Sequence, residues 1–275
     1  INRPARSRVI FYNQNNKCFF SCFLRREKIF SMKIKNYEQL IENGVTENVS
    51  NSRKDLLEIL NYALLSVDPF NAVESVIKDE KTLKINGKDF DLNSFKNIYV
   101  VGLGKASVGM AQSIVYNINI KEGVVVTNDG SQVVDDPRVS VIVGGHPIPN
   151  EGSIKGAEGI LRIVEEVEED DLLIVLISGG GSALFTKPRV SLDDLKSITE
   201  FLLKSGADIN EINTVRKHLS MVKGGQLASA CKGTIVSLII SDIVGDPMSF
   251  IASGPTFPDQ TTFDQALKVL DKYDL

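Results

Sequence analysis

The stretch LLIVLI at residues 172–177, followed by SGGGSA at residues 178–183, decides the fold of this chain. Six consecutive apolar residues predict a strand that is buried on both faces, as in a parallel sheet covered by helices on both sides. Three glycines directly after such a strand allow the backbone to turn sharply and to present N–H groups to an anion. We therefore expect an α/β protein with a ligand-binding loop at this junction.

Similar apolar runs alternate with helical patterns along most of the chain. Strands are predicted at 97–101, 123–127, 139–143, 172–177 and 233–240, and helices at 53–66, 106–117, 151–168, 192–204, 210–230 and 262–273. A tight turn at Asn86-Gly87 is predicted to join two short strands at 82–85 and 88–92. The alternation predicts a three-layer α/β/α domain of Rossmann type with a mostly parallel sheet.

The composition is that of a globular chain. It has 275 residues, of which 24% are charged, and a net charge of -4. The acidic balance gives no electrostatic reason to expect nucleic acid as a partner. No apolar run reaches the roughly 18 residues that a membrane-spanning helix needs. We expect a cytoplasmic protein without a membrane segment, and a homo-oligomer is left open.

Residues 1–31 differ in composition from the rest of the chain. They contain seven basic residues and a single acidic residue, Glu27. This Arg-rich, acid-poor composition is typical of a transit peptide. However, the chain begins at Ile1 and Met32 follows the segment directly, so we favour a disordered upstream extension, with the domain at 32–275. Cys18 and Cys22 lack a second pair of zinc ligands nearby.

The sequence GLGKAS at residues 102–107 is the first candidate site. Gly102 and Gly104 allow a tight strand-to-helix turn, and the helix start favours an anion. Lys105 adds a positive charge suited to a phosphate or carboxylate. The stretch is not a Walker A loop, because Tyr99 stands in place of the first glycine and Ala106 in place of Ser/Thr. It is not a complete dinucleotide fingerprint either, because Ser107 replaces the third glycine. A plain turn with a solvated lysine remains the alternative.

The triple-glycine loop is the second and sharper candidate. Its members are Ser178, Gly179, Gly180, Gly181 and Ser182. Successive N–H groups can form an anion nest, and the two hydroxyl groups add donors. The alternative is a flexible linker, which seldom interrupts a strand-to-helix junction. We favour phosphate binding.

Two further stretches carry charged residues suited to phosphate chemistry. Asn213, Arg216 and Lys217 lie near one face of a predicted helix, where they could hold an anionic substrate; a solvated basic face is the alternative. Asp242 follows the predicted strand at 233–240, and Asp246 lies four residues further on. Carboxylates at such a strand end can hold Mg²⁺ against phosphates, although turn aspartates are common. His146 lies at another predicted strand end, where it could orient a substrate or fill a turn, and we favour the turn.

Five stretches together resemble the type-2 glycerate kinases, in the same order and at similar spacing. They are VVGLGKASVGMA, GGHPIPNEGS, LISGGGSALF, INTVRKHLSMVKGGQLA and SDIVGDPMSFIASGPTFPD. The resemblance runs from about Asn51 to the end of the chain. It implies phosphorylation of D-glycerate by ATP and Mg²⁺, giving 2-phosphoglycerate.

The resemblance also implies roles for individual residues. Lys105 would hold substrate or stabilise charge on the transferring phosphoryl group, and the loop at 178–182 would cradle nucleotide phosphates. Asn213, Arg216 and Lys217 would line the cleft, with Mg²⁺ at Asp242 or Asp246. Members of the family continue into a second, smaller domain that supplies a catalytic arginine, and this chain ends at Leu275. An NAD(P)H-dependent hydroxypyruvate reductase and a binding-only, inactive fragment are the alternatives.

Overall fold

The structure, a computed structural model, describes residues 9–13 and 32–275. In these ranges the strands are β1 (Val9–Asn13), β2 (Ile77–Asp79), β3 (Thr82–Ile85), β4 (Lys88–Asp91), β5 (Ile98–Leu103), β6 (Glu122–Thr127), β7 (Val139–Val143), β8 (Leu172–Ser178) and β9 (Thr234–Ile240). The α-helices are α1 (Tyr37–Glu42), α2 (Glu47–Ser66), α3 (Pro69–Glu74), α4 (Ser107–Asn117), α5 (Glu151–Glu166), α6 (Gly181–Leu184), α7 (Leu192–Lys204), α8 (Ile209–His218), α9 (Gln226–Ala230) and α10 (Phe263–Lys272).

Six strands form one parallel sheet in the order β1-β9-β8-β5-β6-β7. Counted in chain order from β5, the last five strands of the chain lie in the doubly wound order 3-2-1-4-5. The order reverses between the neighbours β5 and β8. Ligands of such sheets bind outside the carboxyl ends of the strands at this switch point. The two glycine loops predicted to bind phosphate both begin there.

Helices cover both faces of the sheet. Along β8, Leu173, Val175 and Ile177 belong to one buried cluster, which includes residues of α5. The alternate residues of β8 belong to a second cluster, which includes residues of α4 and of the small antiparallel sheet β2-β3-β4. Because side chains of a strand alternate between faces, these two clusters are the two cores of a three-layer α/β/α domain. The predicted fold class is confirmed.

The helix predicted over 210–230 is wrong as a single element. A capping box of Asp208 and Glu211 starts α8. The helix ends at His218, and α9 begins only at Gln226. Gly224 and Gly225 lie between them at φ +60° and +82°, a left-handed conformation that no helix interior accepts. The resulting turn carries the residue before it, Lys223, into the protein interior.

The N-terminal part of the chain also differs from expectation. Five residues of the segment expected to be disordered, Val9–Asn13, form β1 beside β9; the other residues of 1–31, and the question of an upstream extension, lie outside what the structure describes. Helix α2 begins at Glu47, because Thr46 and not Ser52 caps it. Its Leu56 and Leu60 remain 66% and 49% exposed. None of the helices in the described ranges is long and apolar enough to cross a membrane.

Candidate functional site

The two glycine loops interlock at the carboxyl ends of β5 and β8. The backbone N–H of Ala106 donates to the Ser178 hydroxyl (3.1 Å), and that of Lys105 donates to the Gly179 carbonyl (3.0 Å). Gly104 has φ +121°, and a Cβ there would lie 2.5 Å from the Ser178 carbonyl oxygen. Only glycine fits this position. The Ser178 hydroxyl therefore joins the two loops.

Three ionisable side chains converge on the triple-glycine loop. A Cβ at Gly180 would lie 2.9 Å from His146 Cδ2 and 3.2 Å from Lys105 Cε. A Cβ at Gly179 would overlap the Asp242 carboxylate. These side chains belong to the loops that follow β5, β7 and β9, and all three lie against the loop that follows β8. The glycines give them room to do so.

The same loop presents free backbone groups. Gly180 adopts φ +84° and precedes the short helix α6. In the described ranges the N–H groups of Gly179 and Gly180 donate no hydrogen bond. Free N–H groups beside a lysine are suited to bind a phosphate oxygen. The geometry supports the predicted anion site at this loop.

Lys105 and Asp242 are exposed, and neither forms a hydrogen bond or ion pair with a described residue. His146 is half-buried beside them. Burial and the nearby charge of Lys105 lower the pKa of His146, and the opposing effect of Asp242 is smaller. Both of the larger effects favour the neutral form of the imidazole. Sequence reasoning assigned His146 to a turn and missed its place in this group.

The residues predicted on one face of α8 have different surroundings. Asn213 is buried, and Arg216 is half-buried, with a pKa that burial lowers. Arg216 forms no hydrogen bond or ion pair with the described part of the chain. Lys217 is buried instead against Asp259, with 3.2 Å between Nζ and Oδ1. In this structure Arg216 is free to bind a ligand, whereas Lys217 holds α8 to the segment before α10.

Lys223 is a buried cation that sequence reasoning did not select. Its ammonium group donates to the carbonyl oxygens of Ser182 (2.8 Å), inside α6, and of Phe185 (2.7 Å), directly after α6. The only sequence signal was its place before Gly224-Gly225, which is equally typical of a surface turn. Lys223 ties the turn between α8 and α9 to the triple-glycine loop.

A strained segment supports the other side of α6. The Ser182 and Ser253 hydroxyl groups are 2.8 Å apart, and Gly181 lies against Ala252. Ala252 and Ser253 adopt φ +53° and +61°, a left-handed conformation that is rare outside glycine. Such conformations persist where the surroundings enforce them, and they cluster at functional sites. The Ser182 hydroxyl is thus engaged inside the protein.

Of the two predicted metal ligands, only Asp242 is placed against the glycine loop. Asp246 lies in the following loop at φ +51°. No group of three or more His, Cys, Asp or Glu side chains suited to a metal ion occurs in the described ranges. Any cation held here would therefore rely on a single carboxylate or a pair of them, completed by ligand oxygens.

These features define a class: a doubly wound α/β protein whose two glycine loops meet at the switch point of its sheet. A family described as "Domain of unknown function (DUF4147)" matches residues 55–275, so the chain belongs to that family. The match confirms the family resemblance seen in the five sequence stretches.

Individual relatives extend this result. The glycerate 2-kinase of Pyrococcus horikoshii is 48% identical over 80% of this chain and 50% of its own length. A crystal structure of glycerate kinase from Thermotoga maritima has a TM-score of 0.69 at 38% identity, covering 79% of this chain and 51% of that one. An Agrobacterium vitis relative, provisionally named as a hydroxypyruvate reductase, is 39% identical over 86% of this chain and 52% of its own length. The chain spans about half the length of these relatives.

Proposed function

We propose that this chain carries the nucleotide- and substrate-binding edge of an ATP-dependent glycerate 2-kinase, which converts D-glycerate to 2-phosphoglycerate. The convergence of Lys105, His146 and Asp242 on the triple-glycine loop carries this proposal. Phosphoryl transfer needs mainly positioning and charge neutralisation, which free N–H groups and free cations supply. The names of the two kinase relatives support the substrate.

In this proposal different residues of the chain bind the phosphates, stabilise the transferring phosphoryl group and accept the proton. The loop at 178–182 binds the nucleotide phosphates through its backbone N–H groups. The loop at Gly102–Ser107 contributes the side chain of Lys105, because the N–H groups of residues 104–107 are already hydrogen-bonded inside the protein. Lys105 and Arg216 stabilise the charge on the phosphoryl group during transfer, while Asn213 and Lys217 shape the cleft. Neutral His146 accepts the proton of the attacking hydroxyl group, since its lowered pKa leaves a ring nitrogen available.

The donor set at Asp242 fits Mg²⁺ as a partner of the nucleotide. This carboxylate is exposed and has no described hydrogen bond, so it is free to bind a cation. Protein sites for Mg²⁺ commonly use one or two carboxylates together with substrate phosphates and water. Asp242, with Asp246 as a second candidate, would hold the ion, which would neutralise charge on the phosphates.

The reductase alternative is weaker on structural grounds. A dinucleotide site requires an acidic residue at the carboxyl end of the second strand, which here is β6. Glu122 lies at the opposite end of β6 and pairs with Arg162. Asp129 is at the correct end, but its carboxylate accepts hydrogen bonds from the Ser131 N–H and hydroxyl (2.9 and 2.7 Å). One oxygen of this carboxylate, Oδ1, is thus engaged within a turn.

We further infer a cytoplasmic location, where ATP is supplied. Cys231 is buried and forms no disulfide with a described residue, which suits a reducing compartment. Because the chain spans half of its relatives' length, turnover by this chain alone is a separate question from binding. A binding-only fragment would retain ATP affinity without forming ADP.

The test is to assay the complete gene product and this 275-residue chain with D-glycerate, ATP and Mg²⁺. The expected result is glycerate-dependent formation of ADP and 2-phosphoglycerate by the complete product. Hydroxypyruvate with NADPH is the parallel reaction. Oxidation of NADPH without any ADP would replace the kinase with the reductase.

A further inference from the structure

The short helix α6, which follows the triple-glycine loop, is part of a closed ring of hydrogen bonds. Lys223 Nζ donates to the carbonyl oxygens of Ser182 (2.8 Å) and Phe185 (2.7 Å). The Ser182 hydroxyl contacts the Ser253 hydroxyl (2.8 Å). The N–H of Gly224, the residue after Lys223, donates to the Ser253 carbonyl (3.0 Å), which completes the ring. The ring joins α6 to the turn between α8 and α9 and to the strained segment.

Burial makes these hydrogen bonds important for the position of α6. Lys223 and Ser253 are 2% and 1% exposed, and Phe185 is fully buried. Carbonyl groups in the last turn of a helix have no backbone N–H partner, and Lys223 donates to two carbonyl groups at this helix end. A buried carbonyl group without a donor is costly in free energy. The helix is therefore held where the amino group of Lys223 can reach both carbonyl oxygens.

The strained segment keeps two side chains in contact with α6. Ala252, Ser253 and Gly254 have φ values of +53°, +61° and +60°. Glycine suits this left-handed conformation, whereas alanine and serine are strained in it. The Ser253 hydroxyl is the group that meets Ser182. The Cβ of Ala252 lies against Gly181, where an added Cβ would come within 2.6 Å of it. Glycine at 252 and 253 would relieve the strain but would lose both contacts.

The position of α6 determines the position of the loop before it. Helix α6 begins at Gly181, directly after Gly180. The N–H groups of Ala183 and Leu184 donate to the Gly180 carbonyl (3.1 and 3.2 Å), so this peptide is bonded to the helix. The N–H groups of Gly179 and Gly180 donate no hydrogen bond in the described ranges. Because glycine has no side chain to anchor its backbone, these N–H groups depend on α6 for their place.

We propose that Lys223, Ala252 and Ser253 are positioning residues for phosphate binding. Together they form a clamp on α6, which holds the free N–H groups of the triple-glycine loop in place for an anion. None of the three binds the anion itself. That the anion is a nucleotide phosphate rests on the proposed function, whereas the clamp rests on the contacts of described residues.

A clamp that includes backbone strain affects stability and binding in different directions. Ala252→Gly and Ser253→Gly relieve the strain, so the thermal midpoint of the ligand-free protein should stay the same or rise. The same substitutions release α6, so the affinity for phosphate should fall, because the loop must then be ordered on binding. A residue that only stabilises the fold would lower the midpoint when it is replaced.

The experiment measures both quantities on the complete gene product. Isothermal titration with inorganic pyrophosphate and with Mg²⁺-ATP gives the affinities, and thermal unfolding without ligand gives the midpoint. Asn86→Gly is the matched control, because Asn86 also has a left-handed φ of +51° but lies in the exposed turn between β3 and β4.

We expect Ala252→Gly and Ser253→Gly each to weaken both probes about tenfold without lowering the midpoint. Asn86→Gly should leave both affinities unchanged. In assays with D-glycerate, the two clamp variants should raise the KM for ATP more than they lower kcat, as for lost ground-state binding.

The combination of Lys223→Met with Ser253→Gly tests whether Lys223 belongs to the same clamp. Lys223→Met alone leaves two buried carbonyl groups without this donor, so a lower midpoint is expected. If both residues act through α6, the double variant should weaken pyrophosphate binding much less than the product of the two single effects. If Lys223→Met does not fold, the two glycine variants and their control still decide the proposal.

Four results contradict the proposal: normal affinity of both glycine variants, a midpoint that falls together with their affinity, independent effects of Lys223→Met and Ser253→Gly, or no binding of either probe by the unaltered protein. Failure of the proposed function looks different. In that case pyrophosphate binding would still depend on Ser253, while the complete gene product would form no ADP with glycerate.

Discussion

The two edges of the parallel sheet differ in whether their charged side chains form ion pairs. At the edge where the strands begin, which we call the paired edge, three ion pairs form: Arg162 with Glu122, Arg138 with Asp136, and Lys232 with Glu168. At the edge where the strands end, Lys105, Asp242 and Arg216 have no described partner, and Lys223 has only carbonyl groups. A fold that pairs its charges on one side can do so on the other. Unpaired charges at the second edge therefore indicate a site that a charged ligand completes.

The largest effect is expected where the two glycine loops interlock. Gly104→Ala brings a Cβ within 2.5 Å of the Ser178 carbonyl oxygen at φ +121°, so we expect a loss of about 3 kcal/mol or more in the free energy of unfolding. Gly87→Ala is the control, because φ is +79° there but no atom lies within 4 Å. Chemical denaturation measures both. Equal losses in the two variants would show that the loops do not constrain each other.

The next effect concerns catalysis at the unpaired edge. Lys105→Ala should lower kcat/KM of the complete gene product about a hundredfold to a thousandfold, as for a removed group that stabilises transition-state charge. Stability should change little, since Lys105 is exposed and its side chain forms no hydrogen bond or ion pair with a described residue. The matched variant at the paired edge is Lys232→Ala, with activity near that of the unaltered enzyme. Near-normal turnover by Lys105→Ala would remove this lysine from the mechanism.

A third test distinguishes two roles for Lys217: a structural ion pair with Asp259, or direct binding of a ligand. Asp259→Asn leaves the buried Lys217 without its partner, and we expect a loss of about 2 kcal/mol in stability. The exposed Asp193, in the first turn of α7, provides the control Asp193→Asn. If Asp259→Asn left stability intact but impaired ATP binding, Lys217 would be a ligand group and not a structural one.

The acid dependence of stability sharpens the contrast at the paired edge. Hydrogen bonds from Arg138 lower the pKa of Asp136 from 3.8 to about 2. A carboxyl group with a lowered pKa stabilises the fold above its unfolded pKa, and this contribution is lost as the pH falls towards 2. Asp136→Asn should therefore reduce the free energy of unfolding at neutral pH. As the pH falls from 3.8 to about 2, the stability of this variant should decline less steeply than that of the unaltered protein. Parallel acid curves for both proteins would contradict the assignment.

The smallest effect is expected at the exposed pair of Arg162 and Glu122. Removing it with Arg162→Gln should cost no more than about 1 kcal/mol, as is usual for surface ion pairs, and should leave activity unchanged. Thermal unfolding in low and high salt measures this contribution. A strong loss of activity would mean that the two edges are coupled.

The fold could be predicted because its signals are local. The apolar run at 172–177 and the glycines after it are visible in the sequence, and the strands Thr82–Ile85 and Val139–Val143 have the predicted bounds. The predicted helix over 210–230 failed because Gly224 and Gly225 adopt left-handed conformations, which the periodicity of the flanking residues does not reveal. Helix propensity is a property of a whole segment of sequence. Where a helix is interrupted depends on the tertiary contacts of the turn, which the local sequence does not show.

The site could be predicted only in part, for the same reason. The glycine loops and Lys105 follow strands, so their meeting at one edge follows from parallel topology. Lys223 and Arg216 lie seven residues apart, and the sequence cannot show that a turn buries the first beside the second. Likewise, nothing near Lys217 in the sequence indicates its pairing with Asp259, which lies 42 residues away. The roles of the predicted site residues stay predictions.

The central claim is that the unpaired edge of the sheet binds phosphates. Amide hydrogen exchange of this chain, with and without Mg²⁺-ATP, tests it most directly. We predict slower exchange at 102–107 and 178–182 and around Arg216, with no change at Glu122, Asp136 or Lys232. Protection at the paired edge, or no protection anywhere at saturating ATP, would contradict the account.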